Sequence, residues 1–545
     1  MAVKMFSRTL YLFTFSICVC VANKRIGFPE KVDEENSKLE CSSTDIPQWL
    51  DGYLLRQVCG GLGSETAANA QHLTHLFDCM AMVASFEFRG GNVWYSNKFI
   101  DTKQYNIWTD NNKDMSTSKV AWGTAYSDID SSAYKANEPK YRDKPNFNPN
   151  VGFWRVGNRV EAVSEVQNGY EFDPDSLEMK GYFKFGDTNM GLSDRFTFVN
   201  NVADEVRDKD GSIWSSAMAF EPLNVEKTKF DVHRIVYKVD EKTANRTVVG
   251  DRVTSSGVDL SATCELSEKT LKWIYRDVSF QEGYMHSIAL TENYVVLPVT
   301  SLILNPCILY KLAQDEPKPS MKTWYSWSSK TPSKVMVVRK SDGKFVQTFQ
   351  LTETTQGQTL AHNLFVMHAI NAYEDQNNII LDMLVHNSNA KVYQEYMKLS
   401  YLRTDPWPTE AIPWRFTFDL SSGLWSGRIV NKNDAAVGVE FPEHQPCLQI
   451  YLSEPVCVQE PDKKEEDEGV LLVPAFNSTS KKGMVFVINA QDMKPIGQTV
   501  APKFTPFGFH NKFYSRSELG TSDCESLKTT FRLILLLSFV MLSFV

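Results

Sequence analysis

The feature that most limits the fold is a short unit repeated along the chain: a strand-length run, a tight acidic, amide or glycine turn, and a second run. SFEF and NVWYSNKFI alternate apolar and polar residues on either side of Arg89-Gly-Gly, which predicts a hairpin. KVMVVRKSDGKFVQTFQL does the same around Ser341-Asp-Gly, and VQNGYEFDPDSLEMKGYFKF and GMVFVINAQDMKPIGQTVAP repeat the format. Further upstream, IPQWLDGYLLRQVCGGLG reads as a turn, a strand and a glycine loop. Scarcely any stretch carries a long 3.6-residue period, so the chain reads as all-β. Repetition of such units over about 470 residues suits a propeller better than a sandwich, because radial repetition leaves only short, protected sheet edges. Residues 23–40 are polar and read as a flexible leader, and 41–518 as one body. The single charge run, Asp462 to Glu468, is followed at once by the strand-like GVLLVPAF and reads as a solvated loop rather than a boundary.

Charge and the chain ends narrow the setting. A net charge of -9 with no basic stripe argues against nucleic acid, since nothing here could neutralise a row of phosphates. Residues 1–22 place Lys4 and Arg8 ahead of an apolar run and end in Cys20, Val21, Ala22, the pattern of a secretory signal peptide, with a membrane anchor as the alternative. Residues 519–545 join small residues and a polar spacer to the 15-residue apolar tail FRLILLLSFVMLSFV. That run is short of the roughly 20 residues a spanning helix needs. The arrangement matches a signal for a glycosylphosphatidylinositol (GPI) anchor attached at Gly520 or Ser522, which would leave the protein on the outer membrane face; a tail anchor or short spanning helix is the other reading. Asn245 and Asn477 head N-glycosylation sequons. Between the two ends seven cysteines remain, an odd number, so export permits bridges and leaves at least one thiol over unless chains pair.

Chemistry could sit at three histidines in compact apolar surroundings. His368 lies in FVMHAINAYEDQNN, an apolar, amide-rich turn ahead of the strand-like IILDMLVH; His286 lies in EGYMHSIALTENYVVLP and His510 in TPFGFHNKFY. Each is either a satisfied core imidazole or a ligand. Their wide separation follows no local ligand spacing, but inner strands of a ring-shaped β fold point at a common axis and could bring distant histidines together. Imidazoles suit Zn, Cu, Fe and Ni.

With these motifs in order, the sequence resembles the carotenoid cleavage oxygenases, a family that also contains the retinoid isomerase of the eye. IPQWLDGYLLR, HLFDCMAMV, FEFRGGNVWYSNKFI, WGTAYSD, GYMHSIALTENYVVLP, HAINAYED, EDEGVLLVPAFN and PFGFHNKF carry the resemblance, from about Ile46 to Phe513. It implies a seven-bladed β-propeller with one Fe(II) per chain on its axis, held by four histidines under a dome of loops and helices. It also implies use of O2 to split a carotenoid, apocarotenoid or other apolar polyene into two carbonyl products. Carried onto this chain, His286, His368 and His510 fall on the second, third and fourth iron ligands. Glu165, Glu440 and Glu454 fall on the glutamates that accept hydrogen bonds from ligand imidazoles, a role that fixes the tautomer and raises ligand basicity. A carotenoid, apocarotenoid or other apolar small molecule in an apolar tunnel, and a membrane surface met through a lipid anchor or an apolar patch, are the expected partners.

The departure is at the first ligand. The family has an Ala-His-Pro-His segment whose first histidine stands seven residues before the glycine of an Asp-Gly turn. Here the run is NNVADEVRDKDGSIW, and the matching residue is Asp204. Asp204 is either a carboxylate ligand completing a three-histidine site or a loop residue too short to reach the metal. The nearest histidine, His233, belongs to a different strand. Cys79 also departs, replacing the usual glycine of HLFDGM. If Asp204 leaves the site weakened, the alternative function is an extracellular carotenoid- or retinoid-binding protein with little or no activity.

Overall fold

A computed structural model describes residues 27–520, apart from 64–72, 111–143, 145–146, 166–168, 188–194, 268–271, 276–279, 308–323, 356–357, 387–389, 392–394, 403–410, 431–442, 446–449 and 466. The expected signal segment, Glu440, Ser522 and the apolar tail lie outside the described residues.

Alternating runs become antiparallel hairpins, and the hairpins extend into six sheets of four or more strands among the described residues. The first contains Gly52–Cys59, Ala81–Arg89 and Asn92–Phe99; the second runs from Gly152–Val156 to Met179–Tyr182. The third holds Thr197–Asn201, Ile213–Pro222, Lys229–Val239 and Arg246–Asp259. Ala289–Leu290 and Tyr294–Val299 open the fourth, and Phe365–Asp375 and Asn378–His386 open the fifth. Gly469–Asn477, Lys482–Asn489 and Pro495–Val500 form the body of the sixth. Among the described residues helix is confined to short pieces between strands, such as Lys103–Asp110 and Leu399–Leu402.

Consecutive sheets pack face to face. Tyr53, Leu55 and Val83 of the first meet Phe153, Val160 and Phe172 of the second. Trp154 and Val156 of the second meet Ile213 and Tyr237 of the third. The same relation joins third to fourth through Trp214, Val236, Val295 and Leu297, and fourth to fifth through Val335, Val337, Leu381 and Phe416. Central strands are therefore covered on both faces, which is why every residue of Gly52–Cys59 is buried although its sequence is not uniformly apolar. Each such Val, Leu or Phe contributes roughly 1.5–3 kcal/mol by leaving water.

The two chain ends complete each other's sheets. Gly508–Ser515 pairs with Gly52–Cys59 in the first sheet, while Ser42–Thr44 pairs with Pro495–Val500 in the sixth. This double exchange ties the last sheet to the first without leaving either terminal strand single.

Two sequence expectations change, and one departure gains a role. The leader expected to be flexible to residue 40 is partly ordered, because Glu35–Glu40 pairs with Asn92–Phe99 as an edge strand. Exposed on both faces, that strand has no apolar alternation to reveal it. The expected turn around His368 is instead the strand Phe365–Asp375, with the true turn at Asp375–Asn378. Its register shifts between Val366 and Ala369 and again before Asn371, so His368 sits in a β-bulge, a device that re-aims a side chain next to functional sites. Cys79, where glycine was expected, is bridged to Cys59, and Cys264 is bridged to Cys307. The residue standing for the usual glycine thus ties the end of Gly52–Cys59 to the turn just ahead of Ala81–Arg89.

Candidate metal centre

Innermost strands set the site. His368 projects from the bulge in the first strand of the fifth sheet, and His510 from Gly508–Ser515 at the inner edge of the first. His286 lies in the loop that leads into Ala289–Leu290, and Asp204 in the connection between Thr197–Asn201 and Val206–Arg207. At the bulge, the Ala369 N–H is taken by Ser287 Oγ at 2.7 Å, which ties the His286 loop to the His368 strand.

One potential ligand atom from each of Asp204, His286, His368 and His510 lies within 4.8 Å of the others. His368 Nε2 and His510 Nε2 are 3.3 Å apart, and His510 Nε2 is 3.5 Å from Asp204 Oδ1. Ligands about 2.1 Å from one ion and at right angles stand roughly 3 Å apart, so this spacing suits a shared cation. The Nε2 of His286 is buried and makes no hydrogen bond. An orphaned imidazole nitrogen in a core costs roughly 1–3 kcal/mol unless something fills its lone pair, and a metal ion does so.

The far nitrogens explain which atom faces inward. His286 Nδ1 is 2.7 Å from Glu165 Oε1, and the Tyr284 hydroxyl donates to the same carboxylate oxygen while standing 3.1 Å from Nδ1. Asn200 Nδ2 reaches the other oxygen at 3.5 Å. His510 Nδ1 is 3.2 Å from Glu454 Oε2, which also accepts the Asn511 N–H at 3.0 Å. Asn511 is held in turn by donating to the Glu454 carbonyl at 2.9 Å and accepting from Arg56 Nε at 3.0 Å. With the Nδ1 proton held by a carboxylate in each case, the Nε2 lone pairs face the axis.

Charge agrees with this reading. Burial would raise the Asp204 carboxyl, but the imidazoles of His510, His286 and His368 and the charge of Lys512 hold it below its ordinary value. Burial also opposes ionisation of Glu454, and His510 and the Asn511 N–H outweigh it, so this carboxyl too is held low. For His510, burial works downward and the Glu454 and Asp204 carboxylates lift the imidazole to a net upward shift. Two ionised carboxylates thus frame the imidazole, a negative excess that a cation offsets.

Residues 28–449 and 431–515 match the family described as RPE65, retinal pigment epithelial membrane protein. The chain belongs to this carotenoid oxygenase family. Among the family's characterised members it is 22% identical to chicken beta,beta-carotene 15,15'-dioxygenase, over 87% of this chain and 95% of the relative. It is 22% identical to the human mitochondrial carotenoid-cleaving dioxygenase, over 86% of both chains, and 21% identical to the carotenoid isomerooxygenase of Galleria mellonella, over 89% of this chain and 95% of that one. In structure it is similar to Synechocystis apocarotenoid oxygenase, with a TM-score of 0.60 and 17% identity over 90% of this chain and 98% of the other. A cobalt-substituted form of that enzyme gives 0.59 at 16% identity. The shared fold is the seven-bladed propeller of the carotenoid oxygenases.

Six of the site residues expected from sequence meet here: Asp204, His286, His368, His510, Glu165 and Glu454. Glu440 lies outside the described residues. His233 does not join them; its Nδ1 is 2.6 Å from Asp251 and its Nε2 3.1 Å from Glu221. Asn245 sits in an exposed turn, whereas Asn477 is half-buried and its Oδ1 accepts the N–H groups of Thr479 and Ser480 at 3.0 and 2.9 Å. Tyr284, Asn200, Ser287 and Asn511 were not anticipated. Tyr284 stands two residues before His286, and Asn511 directly after His510, so a search of the ligand motifs for hydrogen-bonding neighbours would have found both.

Proposed function

We propose that this protein is an iron-dependent oxygenase that cleaves a double bond of a carotenoid or apocarotenoid with O2, each carbon of the broken bond taking one oxygen atom. The observation that carries this is the convergence of three imidazoles and Asp204 on one point, with Glu165 and Glu454 behind two of the imidazoles. Fe(II) bound there would supply O2 activation, which histidine and carboxylate donor sets support when positions stay open. The protein's own part is to fix the ligand tautomers, to keep Asp204 ionised, and to leave the axis open. Asp204 and His510 retain 20% and 15% of their side-chain surface, so solute can reach them.

Reconstitution with Fe(II), followed by β-carotene in detergent and chromatography of aldehyde products, tests the reading. Iron binding with product formation supports it; neither iron nor product overturns it. A second reading, an extracellular carotenoid- or retinoid-binding protein, is favoured by the single carboxylate in place of a fourth histidine. It requires a visible chromophore that co-purifies and persists in air with Fe(II) present. An Asp204→His variant that gains iron and turnover over its parent would mark the natural protein as a weakened enzyme.

We further propose an extracellular setting, with a signal peptide over 1–22, glycosylation at Asn245 and Asn477, and lipid anchoring at Gly520 or Ser522. Two disulfides support it, since such bridges persist mainly in oxidising compartments. Surface labelling of expressing cells before and after phospholipase cleavage of the anchor, with Asn245→Gln and Asn477→Gln variants run alongside, checks each part.

A further inference from the structure

The short connection that carries Asp204 is fixed on both sides, by different means. On its approach side the Val202 N–H donates to the Ser216 carbonyl at 3.1 Å, and the Trp154 indole N–H donates to the Ala203 carbonyl at 2.7 Å. Both Val202 and Ala203 are fully buried. On its exit side Glu205, buried at 8% exposure, stands directly ahead of Val206–Arg207, which pairs with Trp214 and Ile213. Its Oε2 accepts the Tyr514 hydroxyl at 2.8 Å, and its Oε1 accepts Arg207 Nε at 3.0 Å and Arg207 Nη2. Arg207 is itself spent on this corner, since Nη1 donates to the Gly211 carbonyl at 2.7 Å and Nη2 to the Arg155 carbonyl.

Two features make this more than local packing. Tyr514 and His510 stand four residues apart on the strand Gly508–Ser515, so in its period of two they share a face. That face meets the Asp204 connection twice: His510 Nε2 opposes Asp204 Oδ1, and the Tyr514 hydroxyl bonds Glu205. The register between the last strand and this connection is thus set by two adjacent residues of one and two of the other. Second, an aspartate is shorter than a histidine and has a freely turning carboxylate, so its reach to the axis depends on where its backbone is held. In the Ala-His-Pro-His pattern the residue after the ligand is a proline, which stiffens the chain; here the same place is taken by a glutamate clamped from two sides.

We propose that Glu205, held by Tyr514 and Arg207, is a positioning residue that sets the Asp204 carboxylate against the axial metal. The inference rests on the reading of Asp204 as a ligand. Without the Tyr514 hydroxyl, the Glu205 side chain keeps only its tie to Arg207, and the short pairing of Val206 and Arg207 with Trp214 and Ile213 begins one residue too late to stop Asp204 swinging away from His510.

Co(II) tests this as a spectroscopic probe, independent of turnover. Its visible bands report the number and geometry of ligands, and titration gives its affinity. Wild type, Tyr514→Phe, Asp204→Ala and the double variant are compared, with circular dichroism to establish folding. Tyr514→Phe is expected to weaken Co(II) binding about 10- to 100-fold, the range found for groups that orient a ligand, and to change the bands toward those of Asp204→Ala. Added to Asp204→Ala it should change neither. Equal loss in both backgrounds would make Tyr514 merely structural and overturn the proposal, as would no loss in wild type. If Asp204→Ala binds Co(II) like wild type, the ligand reading fails first, whatever Tyr514→Phe does. Should Tyr514→Phe not fold, Glu205→Gln keeps an acceptor for Tyr514 while weakening the Arg207 tie, and the same pair of backgrounds decides.

Discussion

The two halves of the metal centre are built differently. On one side His286 is buried at 4% exposure, its Glu165 partner stands at 2.7 Å, and Tyr284 and Asn200 hold that carboxylate from two more directions. On the other, Asp204 and His510 face a more open axis, and the carboxylate behind His510, Glu454, lies at 3.2 Å with 37% of its side chain exposed. The first half is a buried imidazole whose Nδ1 side is held by a carboxylate. The second is an ionic group whose strength depends on opposing charges. Preorganisation is therefore concentrated where the chain keeps its histidine, and electrostatic adjustment where it has lost one.

The largest expected effect follows from that asymmetry. His286→Ala removes the only one of these ligands whose inward nitrogen is buried and orphaned, and should abolish iron binding, with a loss above about 100-fold in Co(II) or Fe(II) affinity. A loss no larger than that of Asp204→Ala would erase the distinction between the halves. Next comes Glu165→Gln, which leaves Tyr284 a partner but takes away the charge that fixes the imidazole; about 10- to 100-fold weaker metal binding is expected by titration. Glu454→Gln on the open side should cost less, under about 10-fold, because water shares the load of a partly exposed carboxylate. If Glu454→Gln proves the more damaging, solvent access is the wrong basis for ranking the two.

Much of this was legible in the sequence because it rests on local pattern. The hairpins around Arg89-Gly-Gly and Ser341-Asp-Gly alternate with a period of two, and both formed, the second with a register irregularity between Val337 and Val338. Glu35–Glu40 escaped notice because an edge strand wetted on both faces needs no apolar stripe. His368 was found but placed in a turn, since a bulge breaks alternation just where the side chain is re-aimed. The reach of Asp204 could not be read at all. It depends on Trp154 and Tyr514, residues distant in sequence that hold the connection on either side, and no spacing rule links them to it.

The last effect is on stability rather than metal affinity, and it comes from a carboxyl four residues before Glu165. Glu161 is buried at 1% exposure on Arg159–Val163, with neither oxygen hydrogen-bonded to another side chain, and lies against the backbone of Gly169. Burial pushes its carboxyl up to about 8, against the pull of Arg159 and Arg246 and with the push of Glu171. A raised carboxyl pKa means that the native state holds a proton the unfolded chain has released. Its contribution to stability is therefore complete at low pH and declines, by about 1.4 kcal/mol per pH unit, from the unfolded value near 4.3 until the native group ionises. Above about 8 the decline stops. Glu161→Gln removes the titration, so denaturant unfolding across this range should show the variant gaining on wild type as pH rises and levelling off above about 8. A difference between Glu161→Gln and wild type that does not change with pH would mean that burial does not hold the proton on Glu161.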